Sequence, residues 1–245
     1  MGERAARPEN GAPPRVVVKT PGMGAGSVAT TGAGGDGVAH IRLTRPEKRN
    51  ALSIALRDEM SDALDELADD EATRCVVVTG EGEVFSAGFD LKEFEQPELA
   101  DRLWASSDRW HRTLLEFPLP LVAAVNGAAY GGGFDLAVMC DVRVAAETAR
   151  FAHPEHRFSD VVYGPLHELV GGAVARDLAL TGRPVGALEA QAIGLVTAVV
   201  PGAELADAAQ VIASEIASAP REIVLRMKRK ILRRGRIEPG ATLDL

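Results

Sequence analysis

The sequence is poor in aromatic residues and cysteine, and it has no long apolar run. Aromatic side chains make up 4% of the 245 residues, which leaves few rings for stacking on nucleic-acid bases. No stretch approaches the roughly 18 apolar residues that a membrane-spanning helix needs, and no apolar run of a secretory signal follows the first residues. The two cysteines, Cys75 and Cys140, stand in apolar surroundings and are predicted to be reduced, buried thiols. These absences predict a cytoplasmic protein without a membrane span.

Charge is negative overall but unevenly distributed. The net charge of −8 argues against nucleic acid as a partner. Residues 221–236 nevertheless carry eight basic side chains and one acidic one, a local charge of +7. Such a patch is more often a solvated helix end, and the alternative is a contact with an anionic ligand.

The order of apolar segments predicts an α/β fold with a helical C-terminal region. Residues 1–37 are predicted to form a flexible arm, a short strand at Arg15–Thr20 and a glycine-rich loop. In the predicted core, residues 38–200, strands alternate with helices. Residues 201–245 are predicted to be a helical C-terminal extension.

Within the core, four segments give the clearest signals. Val38–Leu43 is strand-like, and Ser53 can cap a helix whose apolar residues recur at three- and four-residue steps. Cys75–Thr79 and Leu121–Val125 are continuously apolar, which is typical of strands buried on both faces.

Two glycine-bearing turns are the candidate sites of chemistry. They are FSAGFDL at 85–91 and NGAAYGGGFDL at 126–136. Glycine lets the backbone approach a ligand closely, and Gly131–Gly133 opens onto a helix whose first amides have no internal partners. Such amides can hold an oxyanion. On spacing alone, the glycines could equally serve tight packing between helix and strand.

Two acidic residues come after the glycine triplet in the sequence. Asp135 lies in the first turn of the helix after the glycines, and Glu155 follows in FAHPEHRF. Two carboxyls can divide acid and base roles when their environments separate their pKa values. The simpler alternatives are a carboxylate that favours the helix dipole and a surface acid. The nearby histidines, His153, His156 and His167, could suggest a metal site, but no cysteine accompanies them and their spacing fits no known motif, so no metal site is predicted.

At these residues the sequence resembles the enoyl-CoA hydratase/isomerase (crotonase) superfamily. The matching strings are RPEKRNAL (45–52), FSAGFDLKEF (85–94), PLVAAVNGAAYGGGFDLAVMCDVRVAAETARFAHPE (120–155) and LTGRPVGALEAQAIGLV (180–196). The resemblance implies a spiral of ββα turns, a homotrimer or dimer of trimers, and a coenzyme A thioester as substrate. No cofactor is implied beyond the coenzyme A of that substrate. Relative to the family, the C-terminal helices are predicted to be shortened.

The resemblance also assigns roles to residues. The amides of Phe89 and Gly132 would form an oxyanion hole, and Asp135 and Glu155 would occupy the positions of two catalytic glutamates. Asp135 departs from the pattern, because its side chain is shorter by one C–C bond, about 1.5 Å. Predicted substrate-binding residues are Lys48, Ala87, Asp90, Lys92, Gly131 and His156.

The function predicted from this resemblance is hydration of an α,β-unsaturated acyl-CoA through a stabilised enolate. Two departures keep alternatives open: the short Asp135, and the string FSDVVYGPLHELVGG at 158–172, which places polar side chains near the acyl pocket. One alternative is enoyl-CoA isomerisation or retro-Claisen hydrolysis of a β-diketone, for which His156 stands near a histidine used by such hydrolases. The other is a catalytically weak acyl-CoA-binding subunit.

Overall fold

A computed structural model describes residues 27–235 as two sheets flanked by helices. The larger sheet has six strands in the order β1-β2-β3-β5-β7-β10, and the smaller has four in the order β4-β6-β8-β9. The strands are Val28–Thr31 (β1), Val38–Leu43 (β2), Cys75–Gly80 (β3), Val84–Ser86 (β4), Leu121–Val125 (β5), Ala128–Tyr130 (β6), Val142–Ala146 (β7), Arg150–Ala152 (β8), Val185–Gly186 (β9) and Ala198–Val200 (β10).

Helices follow the strand pairs in a regular order. The pairs β3–β4, β5–β6 and β7–β8 each place one strand in the large sheet and the next in the small sheet, and a helical segment comes after each pair. This repetition is the ββα spiral that the resemblance implied. The α-helices are Ile54–Asp69 (α1), Leu91–Phe94 (α2), Ala100–Glu116 (α3), Gly132–Met139 (α4), Gly164–Thr181 (α5), Ala187–Ala192 (α6), Leu205–Ala217 (α7) and Arg221–Gly235 (α8).

The segments predicted most clearly from the sequence form as expected. Val38–Leu43 and Leu121–Val125 are strands with the predicted bounds, and the predicted strand at Cys75–Thr79 extends by one residue to Gly80. The Ser53 hydroxyl accepts a hydrogen bond from the Leu56 amide at 3.2 Å and so caps α1. The five apolar residues that define the inner face of α1, namely Leu56, Met60, Ala63, Leu64 and Leu67, are all buried.

The region before residue 38 departs from the prediction. Val28–Thr31 lies inside the predicted glycine-rich loop, yet it is a strand that pairs antiparallel with β2. The sequence VATT supplies β-branched residues that fit a pleated sheet, and β2 offers it an edge. The glycine count of the flanking residues obscured this short signal. The predicted strand Arg15–Thr20 lies outside the described residues.

The C-terminal helices pack on the large sheet and beside it. Leu205, Ala209, Ala213 and Ala217 of α7 form one apolar cluster with side chains from β2, β3, β5 and β7. The boundary predicted at residue 200 stays a prediction. Among residues 27–235, no helix combines the length and apolar character that crossing a membrane requires.

Candidate active site

The predicted site residues come together at the carboxyl ends of three neighbouring parallel strands. β4, β6 and β8 are adjacent in the small sheet and run parallel. Gly88 and Phe89 follow β4, Gly131–Gly133 follows β6, and His153 with Glu155 follows β8. The carboxyl ends of parallel strands are a common place for ligand sites in open α/β sheets. The sheet therefore explains why distant sequence motifs meet.

The turns after β4 and β6 touch each other through glycine. Gly88 has φ of 88°, and a Cβ built on it would lie 2.7 Å from the Tyr130 carbonyl oxygen and 3.1 Å from the Gly132 amide nitrogen. Only glycine adopts this conformation at such close approach without strain. The amides of Phe89 and Gly132 donate to no other atom of the described residues. Two neighbouring free amides can together stabilise an anionic oxygen.

The glycine triplet permits the tight packing that spacing alone suggested, and its use as an anion site stays a prediction. A Cβ on Gly132 would stand 2.7 Å from the Phe89 ring, and one on Gly133 would stand 2.4 Å from the Ser86 carbonyl oxygen. Gly131 has φ of 51°, and its Cβ would stand 3.2 Å from Oε2 of Glu155. The glycines thus permit tight packing, and that packing brings the Gly132 amide and the Glu155 carboxyl to one place.

Asp135, His153 and Glu155 form a cluster beside the free amides. His153 Nε2 lies 2.8 Å from Asp135 Oδ1, and both side chains are buried. One candidate ligand atom from each of the three residues lies within 4.8 Å of the others. Glu155 Oε2 and His153 Nδ1 are buried without a hydrogen-bond partner among the described residues. The cluster therefore holds one paired carboxylate and one carboxyl with a free oxygen.

The environment of the cluster changes its acid–base properties. Burial raises the pKa of Glu155 from 4.5 to about 7, with the charge of His153 lowering it and that of Asp135 raising it. Burial by itself lowers the pKa of His153, but the hydrogen bond and charge of Asp135 and the charge of Glu155 outweigh it, and the pKa is raised above 6.5. A carboxyl that titrates near neutral pH can both take and return a proton under physiological conditions.

Among the described residues, the same three side chains are the candidate ligands for a metal ion. Carboxylate oxygens and imidazole nitrogen are usable ligands, although the Nε2 of His153 is already bonded to Asp135. His156 and His167 lie elsewhere: His156 Nδ1 donates to the His153 carbonyl at 3.0 Å, and the His167 ring packs 5.5 Å from that of Tyr163. The absence of a bound metal stays a prediction.

Phe89 is held in place by a buried group that the sequence analysis did not identify. The Arg57 guanidinium lies 4.4 Å from the centre of the Phe89 ring, a cation–π distance. Arg57 is fully buried and donates to the carbonyls of Leu52 and Leu103 at 2.7 and 3.2 Å. Burial lowers its pKa to about 10. Helical spacing places Arg57 beside the apolar face of α1, but only the fold shows what it contacts.

A second missed residue is His111 of α3. Its ring lies 4.7 Å from that of Trp110 and 6.2 Å from that of Phe89. Its Nδ1 donates to the Ser107 carbonyl at 2.9 Å, while its buried Nε2 has no partner among residues 27–235. Burial lowers the pKa of His111, against the opposing charge of Asp135. Burial therefore favours the neutral form of this histidine.

The other predicted substrate-binding residues lie around this centre. Lys48 and Lys92 are exposed, and Asp90 pairs with Arg45 at 3.3 Å. Ala87 donates its amide to the Arg49 carbonyl at 3.0 Å. Gly131 touches Glu155, as described above, whereas His156 packs against Gly182 and donates from Nδ1 to the His153 carbonyl. Their contacts with substrate stay predictions.

Some of the basic side chains of residues 221–236 are already engaged within the protein. Lys228 is 3% exposed, and its Nζ lies 2.7 and 2.6 Å from the two carboxylate oxygens of Asp141. Arg221 donates to the carbonyls of Ala68 and Thr73. Among the side chains of α8 that the structure describes, the exposed basic ones are Arg226, Arg229, Lys230 and Arg233.

The spiral of ββα units and a site of this kind define an enzyme of the crotonase type. Residues 33–241 match the model of the family described as enoyl-CoA hydratase/isomerase. A protein named probable enoyl-CoA hydratase from Mycobacterium bovis is 40% identical over 184 residues, which are 73% of this chain and 71% of that protein. The chain belongs to the enoyl-CoA hydratase/isomerase family.

Solved structures give the same result. An enoyl-CoA hydratase/isomerase from Xanthobacter autotrophicus superposes with a TM-score of 0.78 at 33% identity, covering 85% of this chain and 79% of that one. The enoyl-CoA hydratase of Mycobacterium tuberculosis superposes with a TM-score of 0.76 at 33% identity, covering 89% and 94%. The α/β fold with a helical C-terminal region, predicted from the sequence, is confirmed.

Proposed function

We propose that this enzyme adds water to the double bond of an α,β-unsaturated acyl-CoA thioester. The observation that carries the proposal is the position of Glu155. Its carboxyl, with a pKa raised by burial to about 7, packs against Gly131 directly beside the free amides of Phe89 and Gly132. A proton-exchanging group and an anion site then face the same few atoms of a substrate.

The reaction follows from these groups. The thioester carbonyl oxygen accepts hydrogen bonds from the Phe89 and Gly132 amides, which draws electrons from the β-carbon. Glu155 removes a proton from water, and the water oxygen forms a bond to the β-carbon as the π electrons move to the carbonyl oxygen. The resulting enolate is stabilised by the two amides. Protonated Glu155 returns its proton to the α-carbon, so that one water is added and the carboxylate is restored.

The substrate's nucleotide end needs positive charge nearby. Lys48 and Lys92 are exposed next to the turn that carries Phe89, and exposed cations of α8 include Arg229 and Lys230. We assign them to the phosphates of coenzyme A. The reaction proposed here uses no further cofactor, and a homotrimer or dimer of trimers is the proposed assembly.

A second candidate reaction is isomerisation of the double bond in an enoyl-CoA. The direct bond between Asp135 and His153 favours it, because one carboxylate is occupied and Glu155 remains. One base that takes a proton from one carbon and returns it to another can carry out this reaction, so Glu155 alone suffices for it as well. The β-diketone alternative relied on His156, whose Nδ1 is bonded to the His153 carbonyl, so we do not extend the proposal to it.

The experiment is product analysis with matched substrates. Purified enzyme is incubated with a 2-enoyl-CoA and, separately, with the 3-enoyl-CoA of the same chain length, and the products are separated and weighed by mass spectrometry. Hydration gives a product heavier by one water from the 2-enoyl substrate. Conversion of the 3-enoyl substrate without a change of mass supports isomerisation instead. Tight thioester binding with neither product would refute both and favour the acyl-CoA-binding subunit.

A further inference from the structure

His153 lies beside both carboxyls of the cluster and bonds to only one of them, Asp135. We propose that His153 is a positioning residue that fixes the Asp135 carboxylate, so that Glu155 is the one member of the cluster that exchanges protons with the substrate. This inference rests on the proposed function, because it assigns the proton transfers of that same site. It concerns a residue to which neither the resemblance nor the comparisons assign a role.

The histidine is immobilised on two sides. Its side chain is fully buried, and its ring lies 4.6 Å from that of Phe134 at an angle of 32°. Its carbonyl accepts the hydrogen bond from His156 Nδ1 at 3.0 Å, which fixes the backbone after β8. A ring held by packing and by its backbone can impose an orientation on its partner.

Asp135 is the partner on which it acts. The carboxylate accepts at 2.8 Å from His153 Nε2, and the amide of Asp135 donates to the Gly131 carbonyl at 3.0 Å in the first turn of α4. Backbone and side chain are both restrained. A hydrogen bond between an imidazolium and a carboxylate is also about twice as strong as one between neutral groups.

Among the described residues, no side chain holds the Glu155 carboxyl in the way that His153 holds Asp135. Oε2 of Glu155 is buried and lacks a partner among the described residues. Its carboxyl lies against Gly131, whose missing side chain leaves the space beside the free amides open. Asp135 is thus held by a side-chain hydrogen bond, whereas the Glu155 carboxyl keeps one oxygen without a partner within residues 27–235, and this difference separates a positioning group from a proton carrier.

The charges around the cluster predict that replacing His153 and replacing Asp135 shift the pKa of Glu155 in opposite directions. His153 lowers the pKa of Glu155 and Asp135 raises it, on top of the larger effect of burial. Within residues 27–235, His111 of α3 also interacts with Asp135, and burial lowers the pKa of His111. The Arg57 guanidinium lies over the Phe89 ring. His156 faces the His153 carbonyl. None of these three is changed in the variants.

The test is a titration that needs no substrate. Glutamate side chains are labelled with ¹³C at the carboxyl carbon, and the Glu155 signal, assigned by its loss in Glu155→Gln, is followed against pH in unliganded enzyme. His153→Gln should move the apparent pKa of Glu155 up, because a positive charge is lost while an amide donor remains. Asp135→Asn should move it down. His167→Gln, which changes an exposed histidine of α5, should leave it in place.

Kinetics supply the second readout. The pH at which kcat/KM reaches half of its plateau should follow Glu155, upward in His153→Gln and downward in Asp135→Asn. His153→Leu removes the donor altogether and should lower kcat roughly 100-fold with little change in KM, the cost of a misplaced catalytic group. His153→Gln should restore part of that loss. If His153→Leu does not fold, the kinetics of His153→Gln and the titration of Glu155 still test the inference.

The outcomes separate this inference from the function itself. Opposite shifts of Glu155 in the two variants support it, even if no hydration is detected, a result that would refute only the proposed function. Shifts of the same sign, or no shift in either variant, would overturn it. A kinetic midpoint that does not move with the Glu155 titration in the two variants would overturn it too.

Discussion

Replacing Glu155 by glutamine should make the protein more stable at alkaline pH while removing its activity. The carboxyl is largely withdrawn from water and has a pKa raised from 4.5 to about 7. Above pH 7 the folded protein must hold a buried negative charge that the unfolded chain exposes to water. Glutamine has nearly the same shape and carries no charge, so the variant escapes that cost.

The sign and size follow from the two pKa values. Between pH 4.5 and about 7 the folded state binds more protons at Glu155 than the unfolded state does, so stability falls as pH rises through this window. Each pH unit corresponds to about 1.4 kcal/mol. The whole window therefore amounts to about 3 kcal/mol, which the variant should gain over the wild type at pH 8 and lose progressively towards pH 4.5.

Urea unfolding between pH 5 and pH 8.5 measures this difference. Protein concentration is held constant, because assembly would shift the apparent stability. Glu98→Gln is the matched control, since Glu98 is exposed in the short helix before α3, and its difference from wild type should not change with pH. A Glu155→Gln difference that is equally flat across the range would refute the burial of a carboxyl with a raised pKa.

Three further predictions concern the anion site, the coenzyme A contacts and the support of Phe89. Gly132→Ala should lower kcat at least tenfold in a steady-state assay. The added Cβ would stand 2.7 Å from the Phe89 ring and displace an amide whose loss typically costs about 100-fold. An unchanged kcat would contradict the assignment of the Gly132 amide to the anion site. Arg229→Glu with Lys230→Glu should weaken acyl-CoA binding in calorimetry, more at low salt, and equal affinity would return these side chains to a purely solvated role. Arg57→Met should lower the unfolding free energy by about 3 kcal/mol, since two hydrogen bonds from a charged group to the Leu52 and Leu103 carbonyls are lost. A change below about 1 kcal/mol would show that these two bonds contribute little to stability.

The regular parts of the fold were predictable because their signals are local. The strand Leu121–Val125 is an unbroken apolar run, and the Ser53 cap precedes a face with clear helical periodicity. The strand Val28–Thr31 was not predicted, because four residues between glycines carry too little pattern. Its existence depends on the edge of β2, which is tertiary information.

Individual residues of the site were predictable, but the hydrogen bond between Asp135 and His153 was not. Backbone chemistry indicated that the amides after Gly131 could hold an anion, and the resemblance added Phe89, Asp135 and Glu155. The sequence offers His153 only as a possible metal ligand, and it does not predict the hydrogen bond between His153 and Asp135. That contact joins residues 18 positions apart through the parallel pairing of β6 and β8, which no local pattern encodes.

The central claim is that Glu155 moves the proton while the amides of Phe89 and Gly132 hold the carbonyl oxygen. The most direct measurement is turnover of crotonyl-CoA by wild-type enzyme and Glu155→Gln, with the affinity of both for a non-reactive saturated thioester determined by calorimetry. We expect the wild type to form the hydrated product and the variant to bind the thioester about as tightly with turnover lowered by at least a thousandfold, about 4 kcal/mol of transition-state stabilisation. A variant that hydrates crotonyl-CoA at close to the wild-type rate would contradict the claim.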